Sequence, residues 1–107
     1  MDNFNVIYKI LKVLENAMDC MEFDFSEYSA EYFKVSDERF EKLLIMLQAE
    51  GYIKGLFVDS YLSDKGIDRI KRKNKVEITL KGLEYLHENS MMKKAASIAK
   101  GVIGTIT

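Results

Sequence analysis

The chain has no proline, one cysteine and one histidine among its 107 residues. Each shortage excludes something. With Cys20 alone no intrachain disulfide can form, and a reduced, cytoplasmic setting is expected. Without proline no stiff linker is marked, and a chain of this length normally makes one domain around one core. His87 and Cys20 fall on separate expected elements, so they form neither a nucleophile–base pair nor a metal set of the usual spacing. Cys20, between Met18 and Met21, reads as a small apolar filler. Gly51 and Gly55 fit no phosphate-cradling loop. No apolar run reaches the roughly 18 residues needed to cross a membrane. The first five residues lack the basic-then-apolar pattern of a leader. The expectation is a protein that is not an enzyme, with no cofactor, no metal and no small-molecule substrate.

What is present is ordinary in amount and uneven in placement. Apolar residues make up 48% and charged residues 31%, a composition that folds rather than staying disordered. Net charge is −1, yet residues 1–50 hold 5 basic and 11 acidic side chains and residues 51–107 hold 11 and 6. The C-terminal half therefore carries the positive charge, a mild pointer to an anionic partner.

Hydrophobic periodicity predicts a helix over residues 4–20 with two neighbouring stripes. Phe4, Ile7, Leu11, Leu14 and Met18 form one, and Val6, Ile10, Val13 and Ala17 the other. That arc is wider than a surface helix needs. Residues 21–25 alternate with period two and predict a short strand, with Glu22 and Asp24 on its exposed face. Ser26 is placed to cap a short helix over 27–33. After a turn at Lys34-Val35, Ser36 caps a longer helix whose first turn carries Asp37 and Glu38. Val35 and Phe40 stand at hydrophobic-staple positions, and Gly51 ends the helix. Tyr52 to Val58 predicts one strand and Val76 to Leu80 its partner, with a long loop from Asp59 to Lys75 between them. Thr79 caps a helix from Leu80 to about His87, with Leu83 and Leu86 inward. A last amphipathic segment, Met91 to Ile106, is weakened as a helix by Gly101 and Gly104.

This order predicts an α+β domain: a winged helix-turn-helix with a small antiparallel sheet over residues 1–90. An additional C-terminal helix is expected over 91–107, packing on the first helix or mediating dimerisation. Three stretches carry a closer likeness. Val35-Ser36-Asp37-Glu38-Arg39-Phe40, then Glu50-Gly51-Tyr52-Ile53, then Thr79-Leu80-Lys81-Gly82-Leu83-Glu84-Tyr85-Leu86 are similar to the YjcQ family, small bacterial and phage-associated winged-helix proteins. The resemblance covers about residues 5–100. It implies the fold and a bacterial or prophage setting, and it supplies no catalytic or binding residues.

The residues themselves offer one candidate site. Arg69, Lys71, Arg72, Lys73 and Lys75 place five cations in seven positions on the expected wing, with no acid after Asp68. Such a loop suits double-stranded DNA, because neutralising phosphates releases counterions whatever the sequence. The alternative is a solvated loop that keeps the hairpin from pairing with other sheets. Arg39 and Lys42 are the donors on the expected recognition helix, beside the acids Asp37, Glu38 and Glu41, which a phosphate wall repels. Those acids and the wide arc of residues 4–20 favour a second reading, a protein-interaction or dimerisation module using residues 4–20 and 91–106. A membrane role for residues 91–106 is not expected, since glycines stand where an anchor wants bulk.

Overall fold

The computed structural model describes residues 3–59 and 69–89. Helix α1 spans Asn3–Ala17 and α2 spans Asp37–Ala49; a third helix, α3, covers residues 80–89. Four short strands, β1 Ile53–Lys54, β2 Phe57–Asp59, β3 Arg69–Arg72 and β4 Glu77–Ile78, lie between α2 and α3. The arrangement is α+β, with three helices and a small antiparallel β component, and is compatible with a winged helix. The expected extension over 91–107 lies outside the described residues.

One core joins these elements. From α1 it takes Val6, Ile10, Leu11 and Leu14, a face that straddles the two expected stripes. Ile7 and Val13 flank that face half-buried, while Phe4 and Met18, at its ends, are exposed. The wide arc is thus a single buried face with partly covered margins. Each fully buried Leu, Ile or Val contributes about 1.5–3 kcal/mol. Helix α1 packs on β4, and α2 packs on β1 and β3.

The segment between α1 and α2 differs from expectation. Residues 21–25 form no strand; among the described residues they pair with no other. Only the end of the alternation corresponds to burial: Phe25 is buried and Phe23 half-buried, whereas Met21, in a bend after α1, is fully exposed. Cys20 is exposed and fills no core space. The expected helix over 27–33 is also replaced. A 3-10 turn, Phe25–Glu27, is capped by Asp24 rather than Ser26: the Asp24 carboxylate accepts from the Ser26 N–H (2.9 Å) and hydroxyl (2.5 Å). A single further turn follows. Val35 N–H donates to the Ala30 carbonyl (3.1 Å) and Lys34 N–H to that of Glu31 (3.0 Å). Those two bonds make a Schellman closure, which needs a left-handed residue, and Lys34 takes that role with φ 60°. Aromatic packing decides against a longer helix here: Phe25 and Phe33 are buried, and both rings approach Phe40 of α2, at 6.3 and 5.3 Å.

Helix α2 forms as its local signals predict. Ser36 Oγ accepts the Arg39 N–H at 3.1 Å, and Gly51 with φ 86° ends the helix. The Tyr52 N–H returns to the Leu47 carbonyl (2.9 Å) and that of Gly51 to Gln48 (3.0 Å), again a Schellman closure.

Beyond Gly51 the strands make one bent ribbon rather than a strand, a long loop and a strand. Ile53 pairs with Ile78 and Lys54 with Glu77; then Phe57 pairs with Arg72, Val58 with Ile70 and Asp59 with Arg69. Residues 55–56 therefore face residues 73–76, so the returning arm is the longer one and bulges. Gly55, with φ 95°, allows the crossing, since a Cβ there would collide with the Lys75 carbonyl. The strand expected over 52–58 is interrupted at this point. The expected loop contains β3, which one-residue alternation around Ile70 was too short to reveal.

Thr79 then ties the ribbon to α3. Its hydroxyl donates to the Gly51 carbonyl (2.5 Å) and accepts the Gly82 N–H (3.2 Å), so it is the expected helix cap. Leu86 is buried and Leu83 half-buried, as their spacing predicts; His87 is exposed.

Candidate nucleic-acid interface

The ribbon carries the cations on its returning arm. Arg69 opens β3. Lys71 and Arg72 are exposed on it, and Lys73 and Lys75 lie in the bulge before β4. At roughly 3.3 Å per residue, Lys71 to Lys75 spans at most about 13 Å, a charge density that suits a phosphate backbone. Among the described residues, Lys71, Arg72, Lys73 and Lys75 form no ion pair, whereas Lys54 meets Glu77 at 3.8 Å. Two of the four rest on aromatic rings instead: Lys73 Nζ lies 4.7 Å from the centre of Phe40, and Lys71 Nζ 5.9 Å from that of Phe57. Such contacts hold a cation in place while leaving its charge unneutralised.

The recognition-helix residues are placed differently. Arg39 is exposed, but its guanidinium donates to the Asn3 side chain of α1 (3.3 Å). That contact ties the start of α2 to the start of α1. Lys42 is exposed on α2. Asp37 and Glu38 occupy the first turn, where the helix dipole favours them.

Glu41 was expected only as a repelling charge, and the structure gives it a structural bond as well. It is half-buried and accepts the backbone N–H of Ile70 at 3.2 Å, fastening β3 to α2. A groove of about 540 Å³ runs along this junction, lined by Asp24, Phe40, Glu41, Ile70 and the run Lys71 to Asn74. Cations and two carboxylates thus share one concavity. The Ser26 hydroxyl and then its N–H hold the Asp24 carboxyl below its ordinary value of 3.8, so it is charged there at neutral pH. Gln48 is a second residue that no motif marks. Its amide accepts the Leu56 N–H (2.7 Å) and donates to the Leu56 carbonyl (3.2 Å), pinning the chain where β1 gives way to β2.

Among the described residues no group of three or more His, Cys, Asp or Glu could hold a metal ion, and no helix is long and apolar enough to cross a membrane.

The fold and the ribbon together define a small α+β domain, compatible with a winged helix, that carries a cationic hairpin. Residues 8–104 match the family described as YjcQ protein, which is most of the chain, and the chain belongs to the YjcQ family. No curated protein and no solved structure matches it.

Proposed function

We propose that this protein is a DNA-binding winged-helix protein, a small cytoplasmic regulator of a bacterium or its prophage, that grips phosphates through the β2–β3 ribbon and the bulge after it. It acts by binding and not as an enzyme. The observation that carries this reading is the set Lys71, Arg72, Lys73 and Lys75, gathered within a few residues and left without ion pairs among the described residues. Arg69 adds a fifth cation to the same strand. Arg39 and Lys42 play a lesser part, since one is tethered to Asn3 and both sit among acids.

Contact of this kind is insensitive to sequence and steeply sensitive to salt. If the five ribbon cations each neutralise one phosphate of a duplex, log K falls with log salt with a slope of about −4.5. Fluorescence anisotropy with mixed-sequence duplex DNA measures it. Neutralising Lys71, Arg72, Lys73 and Lys75 together weakens binding to all sequences alike and flattens the slope. Absence of binding at low salt, or binding indifferent to salt, refutes the reading.

A second reading, a protein-interaction or dimerisation module without DNA binding, is favoured by the acidic first turn of α2. It also draws on a groove of about 690 Å³ in which apolar residues such as Leu14, Met18 and Val76 meet charged ones such as Glu22, Lys54 and Glu77. Sedimentation at several concentrations separates the two readings for a homodimer: a strict monomer counts against this one.

A further inference from the structure

Resting on the nucleic-acid reading of the ribbon, we propose that Phe57 is a stacking platform for an unpaired nucleobase, with Lys71 and Arg72 holding the phosphates beside it. The ribbon then prefers single-stranded nucleic acid to duplex.

The two faces of the ribbon differ. Val58 and its partner Ile70 turn inward and are half-buried against the core. Phe57 turns the other way and is 57% exposed. A lone exposed apolar side chain is common and means little by itself; what marks Phe57 is its setting. Its cross-strand partner is Arg72, exposed on the same face, and the Lys71 ammonium stands 5.9 Å from its ring centre. An aromatic ring flanked by two cations that form no ion pair among the described residues is the pairing that single-strand binders use: rings stack bases, and cations track the backbone.

Duplex satisfies this arrangement poorly. Its bases already stack on both sides, so the Phe57 ring gains a base only if one is extruded, at the cost of unstacking and unpairing it. Docking α2 in a major groove would also bring Asp37 and Glu38 to the phosphates. A single strand presents base faces without that cost and wraps the ribbon without engaging α2.

The chain contains no tryptophan, so Phe57→Trp introduces a single fluorescent reporter at the stacking position. The protein is titrated with a mixed-sequence single strand of roughly 12 nucleotides, within the usual site size, and with the duplex of the same sequence. Single strand is expected to quench the Phe57→Trp emission in step with the anisotropy isotherm, and duplex to quench it much less. Phe57→Ala is expected to weaken single-strand binding about tenfold and duplex binding little, at an unchanged urea midpoint. Equal single-strand affinity of wild type and Phe57→Ala overturns the proposal, as does equal quenching by the two forms. If duplex binds with the expected salt slope and single strand does not, the stacking proposal falls and the ribbon reading stands. If the wild-type protein binds neither, both fall.

Discussion

Replacing Gln48 with alanine tests whether a side chain outside every motif holds the cationic ribbon in place. The Gln48 amide makes two hydrogen bonds to one residue, accepting from the Leu56 N–H and donating to the Leu56 carbonyl. Leu56 is 8% exposed and sits where the ribbon changes from β1–β4 pairing to β2–β3 pairing. A strand would normally satisfy both of its backbone groups, and here Gln48 substitutes for one. Each such bond contributes about 0.5–1.5 kcal/mol net, and a buried group left unpaired costs about 1–3 kcal/mol. Against this, alanine is the better helix former by a few tenths of a kcal/mol. The balance is a loss of about 1.5–3 kcal/mol.

At about 4–8 °C per kcal/mol for a domain near this size, thermal unfolding should shift down by roughly 6–24 °C. Urea denaturation gives the same quantity independently, with an unchanged m-value if the native state stays compact. Amide hydrogen exchange supplies the site-specific readout. The Leu56 amide should lose protection selectively, while those in the middle of α1 fall only with global stability. A loss below about 0.5 kcal/mol, within the range of an ordinary surface substitution, refutes the latch.

Further outcomes follow from other close contacts. Gly82→Ala in α3 would ordinarily stabilise a helix by about 1 kcal/mol. Here the added Cβ collides with the Tyr52 carbonyl and meets Ile78 Cγ1 at 2.6 Å, so a lower melting temperature is expected and a higher one refutes the packing. Lys34→Gly relieves a left-handed backbone and should raise stability by about 0.5–1 kcal/mol in urea titrations. Asp24 has a folded-state pKa lowered from 3.8 by its bonds from Ser26, so its contribution is present above that value and lost as pH falls through the lowered one. Acid titration of stability should therefore decline less steeply below about pH 4 in Asp24→Asn than in wild type. Neutralising Asp37 and Glu38 together should weaken folding by about 0.5–2 kcal/mol through the helix dipole, and slightly tighten duplex binding. Weaker binding, at an unchanged fold, would show that these acids contact the partner.

The sequence announces those features whose causes lie within a few residues. Ser36 and Gly51 bound α2 through bonds no longer than a helical turn, and Thr79 caps α3 in the same way. The residues between α1 and α2 are misread because an alternating apolar pattern does not require a paired strand, and Met21 is exposed despite it. Phe23 and Phe25 satisfy it without a pairing strand. Strand β3 is hidden for the opposite reason: its four residues hold one apolar side chain, and it becomes a strand because Val58 and Glu41 meet Ile70 from other elements. The site divides likewise. Its cations can be read directly from the run 69–75, whereas the tether on Arg39, the bond of Glu41 and the outward turn of Phe57 are all tertiary. The apolar run Leu56-Phe57-Val58 held one clue, since three consecutive residues of a two-faced ribbon cannot all turn inward.

The charges of this domain fall into two groups with different physical work. Asp37 and Glu38 favour a helix N-terminus, Glu41 binds a strand backbone, and Asp24 caps a turn; each has a local partner that accounts for it. Arg72 and Lys75 have none among the described residues, and Lys71 and Lys73 have only ring faces, which leave their charge intact. Four cations so close together repel one another, and among the described residues the carboxylates of Asp24 and Glu41 share their groove without pairing with them. Opposite Gly55 and Leu56 the returning arm is two residues longer, and that extra length carries Lys73 and Lys75. The longer arm also seats Val76 in the core and lays Lys73 against Phe40, so its length serves the fold as well. The run of cations suits the polyanionic partner proposed above, and under that proposal the acids of α2 do their work in folding rather than in recognition.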